Sequence, residues 1–331
     1  MNKLLLSIVV TAVFCIIPQP ITIDGFIKKE DIQGTEVEQQ RRIVKENSNS
    51  TTDDAIKKCL YYRFGETRFL GCEEVQIDIS REETIATLVV NELIKGPSAS
   101  RQQLTGLFPV GTRLINARVE GTTAYITLSS EFLGMPEGAP LNWEENSQWV
   151  QEAKLRRRLA FQSIVLALTE GGQCQRVQLF IAEDDDSVPE RVPLYLLDDE
   201  ETDTNLRLAA CGRDESVLIN PTLVVEAVFH SWMKQDWEMA YPFIWAEDDM
   251  NSNALDFIMA MEQNSVSLLS YRMNNGTVSL DGKIATLVID ATLLDMNGER
   301  TNIVRESIPI YRIQDNWMMA YSTLLSLMIR D

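Results

Sequence analysis

Apolar residues along this chain recur in two rhythms, and the clearest switch between them falls within residues 80–129. Ile85, Leu88, Val89 and Leu93 repeat at helical spacing and predict one apolar stripe. Ahead of them Ser80 and Glu83 have the pattern of a capping box, in which the hydroxyl satisfies an orphan N–H and the carboxylate reaches back to the cap. Gly96-Pro97 predicts the stop, since glycine tolerates the left-handed position after a helix and proline cannot continue one. After a polar loop, Leu114 to Val119 and Ala124 to Ser129 flank a turn at Glu120-Gly121. They predict a β-hairpin with Val119, Ala124, Ile126 and Leu128 available for the core.

The same reading extends in both directions. Leu60 to Phe64 predicts an aromatic-rich strand, and Val75, Ile77 and Ile79 alternate through a second. Phe161, Ile164, Val165 and Leu168 stripe a helix expected from about Glu152 to Thr169, and Val177 to Ile181 reads as the closing strand. Strands interleaved with two helices give an α+β sandwich over residues 59–182. Residues 183–216 read as an acidic connector, in which Glu183 to Asp186 and Asp198 to Glu201 bracket a strand candidate at Val192 to Leu197. From residue 217 the order changes. Pro221 opens a helix carrying Val224, Val225, Val228, Phe229 and Trp232, and helical patches follow at Trp237 to Ile244 and Ala254 to Met261. Four strand-like runs come next, at Ser265 to Tyr271, Ile284 to Leu293, Ile303 to Ile313 and Trp317 to Leu327. Turns are expected at Asn274-Asn275-Gly276, Asp281-Gly282, Met296-Asn297-Gly298 and Gln314-Asp315-Asn316. Helices followed by an antiparallel meander predict a second α+β domain over 217–331.

The N-terminus changes the picture of where this fold operates. Lys3 and the apolar run Leu4 to Ile17 have the form of an export signal, so residues 1–23 are expected to be a signal or anchor segment. Two readings stay open: an uncleaved or slowly cleaved anchor, or lipidation at Cys15, where Phe14 makes a poor lipobox; either way the body of the protein is expected outside the cytoplasm, anchored to the membrane or secreted. Residues 24–58 are polar and read as a linker. With 30 Lys and Arg against 49 Asp and Glu, the formal net charge is −19, which repels phosphate backbones and anionic headgroups. Nucleic acid is not an expected partner, and membrane contact is expected through the N-terminal segment only. Arg156-Arg157-Arg158, the one basic cluster, reads as a solvated helix face.

Four cysteines follow the export segment: Cys59, Cys72, Cys174 and Cys211. If Gly65-Glu66 is a two-residue hairpin turn, the register sets Cys59 opposite Cys72, leaving Cys174 and Cys211 as partners by elimination. Four free thiols is the other reading.

Little catalytic chemistry is available. His230 is the single histidine and lies in a helical run, without a Gly-x-Ser-x-Gly elbow. No Cys-x-x-Cys pair, His/Cys cluster or phosphate-cradling glycine loop occurs. Asp199, Glu201 and Asp203 alternate, but Thr204 stands where a calcium loop needs glycine. No catalytic residue, cofactor or metal is therefore expected. Trp232, Trp237 and Tyr241, with Phe243, Trp245, Met259 and Met261, are candidates for a pocket lining, though at helical spacing such residues are more often plain core.

Leu88-Val89-Val90-Asn91-Glu92-Leu93-Ile94-Lys95-Gly96-Pro97, then Phe108-Pro109-Val110-Gly111-Thr112-Arg113-Leu114, the hairpin ending Leu128-Ser129-Ser130-Glu131-Phe132, and the helix Arg158 to Thr169 before Val177 occur in one order. On these motifs residues 59 to about 182 resemble the GerM-type (GerMN) spore-germination domain. The resemblance implies a small α+β module on an exported or lipid-anchored Gram-positive protein of sporulation, germination or envelope assembly, similar to ring-building modules. It brings no catalytic residues. The chain departs from the family in a longer loop, Gly134 to Val150 with Trp143 and Trp149, and in running from the closing strand into Ala182-Glu183. Residues 217–331 look like an NTF2-like cone. The expected function is non-enzymatic, through contacts with envelope or sporulation proteins, with self-association as a further option. The alternatives are a peptidoglycan-binding module using Trp143 and Trp149, and a small-molecule enzyme or binder using the C-terminal cone.

Overall fold

The computed structural model describes residues 55–79, 83–172, 174–247 and 253–329; the expected export segment, the expected linker as far as residue 54, and Ser80 lie outside them. The chain is α+β throughout, with sheet and helix elements mixed.

Strands β1 (Ala55–Phe64) and β2 (Leu70–Asp78) pair antiparallel, and β3 (Leu104–Thr105) extends the sheet on the far side of β1. The β1–β2 connection is longer than the two-residue turn expected at Gly65-Glu66. Thr67 organises it: its hydroxyl donates to Phe64 O at 2.6 Å and accepts from Phe69 N at 3.1 Å. Arg63 adds hydrogen bonds to the carbonyls of Glu66 and Thr67. The longer loop moves the register by two, so that Tyr61 faces Cys72 and Cys59 faces Glu74. Cys59 and Cys72 are thus diagonal neighbours on one face of the sheet. Their Cα atoms lie 5.8 Å apart, and a disulfide joins them.

Helix α1 (Ile85–Lys95) starts later than a cap at Ser80 would allow. Thr84 is the N-cap, its side chain accepting from Thr87 N at 3.1 Å. The buried face is Ala86, Val89, Val90 and Leu93, which leaves Ile85 largely exposed. At the other end Gly96, at φ 88°, closes the helix by donating to Leu93 O. The hairpin β4 (Leu114–Glu120) and β5 (Thr123–Ser129) forms as the alternation requires, with Ala124, Ile126 and Leu128 fully buried. Val119 is half exposed instead, because it lies near the outer end of an edge strand.

Helix α2 (Ser147–Thr169) begins five residues before Glu152, capped by Asn146 accepting from Gln148 N at 2.9 Å. It crosses to β6 (Arg176–Ala182), which runs parallel to β5. The arginine run is not uniformly solvated. Arg158 is exposed, Arg156 pairs with Glu152, and Arg157 is 6% exposed. The acidic segment adds two short edge strands, β7 (Glu190–Arg191) and β8 (Cys211–Gly212). Val192 to Leu197 is not a strand; Leu194–Leu196 form a 3-10 turn that buries Val192 and Leu197 at its ends.

In the C-terminal part, α3 (Pro221–Lys234) is capped by Asn220 accepting from Leu223 N, and α4 (Trp237–Ala240) follows at once. Next come β9 (Ile244–Trp245), α5 (Ala254–Glu262) and the long strands β10 (Ser267–Val278), β11 (Ile284–Leu294) and β12 (Arg300–Ile313). Asn274-Asn275-Gly276 is a bulge inside β10 and not a turn: the register shifts between Asn274 and Thr277 while pairing with β11 continues. Glycine is needed there, since a Cβ on Gly276 would come within 2.6 Å of Thr286 O. The run Trp317 to Leu327 divides into β13 (Asn316–Ala320) and a terminal helix α6 (Tyr321–Met328). The sheet order is β10-β11-β12-β13-β9, antiparallel except that β9 and β13 run parallel.

Residues 53–331 pack as one unit, and one continuous core runs through them. Phe64 of β1 lies 5.3 Å, centroid to centroid, from Phe243 ahead of β9. Ile219 N donates to Leu70 O. The Asn316 side chain acts as a one-residue strand partner for β2, accepting from Cys72 N at 2.8 Å and donating to Cys72 O at 2.9 Å.

Candidate functional site

The junction between β1–β3 and the C-terminal sheet holds a cleft of about 230 Å³. One wall is the loop carrying Gln102 and Gln103. It is held by turns at Ser98–Arg101 and Arg101–Leu104 and by Gly65 N donating to Gln103 O at 2.7 Å. Arg101 fastens it across the junction, donating to Gln314 O at 2.9 Å and lying 3.3 Å from Asp315 Oδ2. Gln314 and Asp315 form the tight β12–β13 turn, both at positive φ, as a primed hairpin turn requires.

The opposite wall is aromatic. Trp245 is placed by the β9–β13 pairing, where it faces Ala320, and its ring meets Tyr311 edge-on at 5.7 Å. Phe257 comes from α5, whose N-cap Asn253 accepts from Asp256 N at 2.9 Å. Its ring touches Tyr241 at 5.6 Å and Tyr321 at 5.9 Å. Tyr321 opens α6, where the Glu247 carboxylate accepts from Ser322 N at 3.1 Å and complements the helix start. Burial raises the Tyr241 and Tyr321 hydroxyls above their ordinary range, so both stay protonated across physiological pH.

A second, wider groove of about 580 Å³ lies where the parallel strands β5 and β6 end. Leu133, Ile181, Val192 and Leu196 give it an apolar floor, and Glu183 and Glu190 stand at its rim with Arg191.

The residues singled out from sequence separate into three groups. Tyr241 lines the junction cleft. Trp232 and Trp237 do not: they are core, with Trp232 Nε1 donating to Val266 O and Trp237 edge-on to Phe257. Trp143 lies over the guanidinium of Arg157 at 5.7 Å, and Trp149 is half-buried in the first turn of α2. Arg157 has no carboxylate in ion-pair contact among the described residues and hydrogen-bonds the carbonyls of Leu133 and Gly134. The space beside it is about 10 Å³. Burial pulls its basicity down, partly offset by Glu144.

Cys174 and Cys211 are free thiols and not the expected pair. The β6–β8 register sets Cys211 against Val177, and the Cys174 thiol donates to Arg176 O instead. His230 is on the exposed face of α3. Gln102, Gln103, Gln314 and Tyr321 were not foreseen as lining. Only the positive-φ turn at Gln314-Asp315 had a sequence signal.

Residues 59–185 match the family model Germane, described as sporulation and spore germination. They are a Germane domain. The chain carrying this Germane domain is similar to the tandem GerMN domains of the sporulation protein GerM from Bacillus subtilis, at 12% identity and a TM-score of 0.29; the match covers 74% of this chain and 62% of that one. It therefore spans less than two thirds of that relative. The first GerMN domain of the same protein matches at 16% identity, TM-score 0.25, over 39% of this chain and 84% of the other. A lipoprotein from Clostridium perfringens matches at 17% identity, TM-score 0.24, over 43% and 92%. A search of curated proteins gives no match. Among the described residues, no helix is long and apolar enough to cross a membrane.

Proposed function

We propose that this chain is a non-enzymatic, extracytoplasmic protein that works through protein–protein contacts in sporulation, germination or envelope assembly. The Germane domain over residues 59–185 carries the reading. The apolar run Leu4 to Ile17 supports export and attachment at the membrane, and the Cys59–Cys72 disulfide suits an oxidising compartment.

The contact face we assign is the groove at the ends of β5 and β6. Its apolar floor favours burial against a partner, and the acidic run Glu183 to Asp186 with Glu190 favours a basic, extended segment of that partner. Val188, on the rim, is almost fully exposed.

A photo-crosslinking amino acid at Val188, introduced into the native chain in sporulating cells, tests the reading. The expected product is a covalent adduct to an identified envelope or sporulation protein, lost on Glu183→Lys with Glu190→Lys. A deletion strain with normal sporulation, germination and envelope shape, together with no adduct at Val188, overturns it.

A further inference from the structure

The lining of the junction cleft is unusual for this chain. Lys plus Arg number 30 and Asp plus Glu 49, yet none of the described residues lining the cleft is charged at neutral pH. Among the described lining residues an anion would find no cation, and it would meet a protein of formal charge −19; a cation would find no carboxylate among them. A wholly apolar ligand would lie against a lining to which Gln102, Gln103 and Gln314 contribute, and polar groups there that lose water without new partners cost free energy. The remaining class is an uncharged ligand with apolar faces and many hydrogen-bonding groups at its edge.

A sugar ring has that construction. Its C–H face packs on aromatic rings, here Trp245, Tyr241 and Tyr321. Its equatorial groups meet primary amides, each supplying two donors and an acceptor with two lone pairs. An N-acetyl substituent is itself an amide and pairs reciprocally with a glutamine side chain. The volume of about 230 Å³ lies below the ~300–1,000 Å³ of drug-sized sites, which sets the scale at one ring held and its neighbours left outside.

We propose that the cleft between the Gln102–Gln103 loop and β9, β13 and α6 binds one uncharged, N-acetylated sugar unit of a glycan chain. The inference goes beyond the contact function above, since it uses a different face of the molecule and a different class of ligand. It also gives the junction a role: glutamines from the Germane domain and aromatics from the C-terminal part must be held together to form the site.

Isothermal titration of the folded, exported chain with the trimer of N-acetylglucosamine tests it. Saturable binding is expected with Kd around 1 mM. Trp245→Ala is expected to weaken binding at least ~10-fold by removing the stacking platform. Gln103→Ala, which keeps the backbone carbonyl used by Gly65, is expected to weaken it ~5-fold and, as a half-buried change, to leave the fold intact. Glucose 6-phosphate is expected not to bind. No saturation by the trimer, equal binding of the anionic sugar, or unchanged affinity in Gln103→Ala each overturns the proposal, the last independently of whether Trp245→Ala folds.

Discussion

The Germane domain and the C-terminal meander reach similar burial by different means. In the Germane domain, a covalent and an ionic link tie the elements: the Cys59–Cys72 disulfide between β1 and β2, and the buried Arg63 reaching Glu152 on α2. In the C-terminal part the corresponding positions are aromatic, with Phe229 edge-on to both Trp232 and Tyr271, and Phe257 against Trp237, Tyr241 and Tyr321. Covalent and ionic ties demand particular partners, whereas aromatic packing demands volume and shape. The first kind leaves motifs in a sequence; the second leaves only periodicity.

The sharpest way to break this comparison is at the seam. Phe64 is fully buried and packs tilted against Phe243, so Phe64→Ala is expected to cost about 4 kcal/mol through lost burial and the cavity left behind. Because one core runs through both regions, chemical denaturation followed by far-ultraviolet circular dichroism and by tryptophan fluorescence should show one transition shifting in both signals. Two separate transitions, only one of them moved, would make the regions independent. The covalent tie comes next. Cys59 and Cys72 are 13 residues apart, and Cys59→Ser with Cys72→Ser is expected to lower stability by about 3 kcal/mol, matched by reductant on the native chain. A variant as stable as the native chain would mean the hairpin is fixed by its hydrogen bonds alone.

The contrast also explains what could be read before any coordinates. Gly96-Pro97 and the glycine of the β4–β5 turn were legible because each needs a residue type that few others can replace, although the turn falls one residue later than expected, at Gly121-Thr122, with Glu120 paired to Thr123. The β1–β2 register was not, because Thr67 holds the loop open with its own side chain, and nothing in Gly65-Glu66 announces that. Asn274-Asn275-Gly276 has turn composition but becomes a bulge, since β11 is long enough to pair on both sides of it. Tyr321 to Leu327 was read as strand because its apolar residues suit either period over so short a run. Most of the cleft lining was invisible for a related reason. Glutamine on a loop is common, and only the fold brings Gln102 and Gln103 within reach of Tyr321. Arg157 went unnoticed as a buried cation because a run of three arginines reads as solvent-facing.

Removing charge tests the ionic tie. Glu152 is half-buried; burial alone would raise its carboxyl, but hydrogen bonds from Arg156 and Arg63 prevail and hold it below the ordinary 4.5. A depressed folded value means the tie contributes fully above that ordinary value and is lost as pH falls through the folded one. Glu152→Gln is expected to cost about 2 kcal/mol at neutral pH, leaving the 3%-exposed Arg63 with its carbonyl partners and the exposed Glu66. As pH falls from about 4.5 through the lower folded value, the native chain and the variant should converge. A constant gap down to acid pH would show that packing, not charge, is what Glu152 supplies.

Asn316 is the finest instrument, because it is polar and sits where the two modes of packing meet. Its amide satisfies both backbone groups of Cys72, and its Oδ1 also occupies the space a Cβ on Gly71 would need, 2.6 Å from the ideal position. Asn316→Ala orphans a buried N–H and C=O together and is expected to cost about 1.5 kcal/mol. Gly71→Ala alone should also destabilise, since the new methyl meets Oδ1, Leu104 and Phe64 within 3 Å. In the double variant Oδ1 is gone, so part of the second cost should disappear, and a double-mutant cycle should return a coupling of at least ~0.5 kcal/mol. Strict additivity would mean that Leu104 and Phe64, the apolar side of the seam, set the close approach of β2, and that the amide only follows.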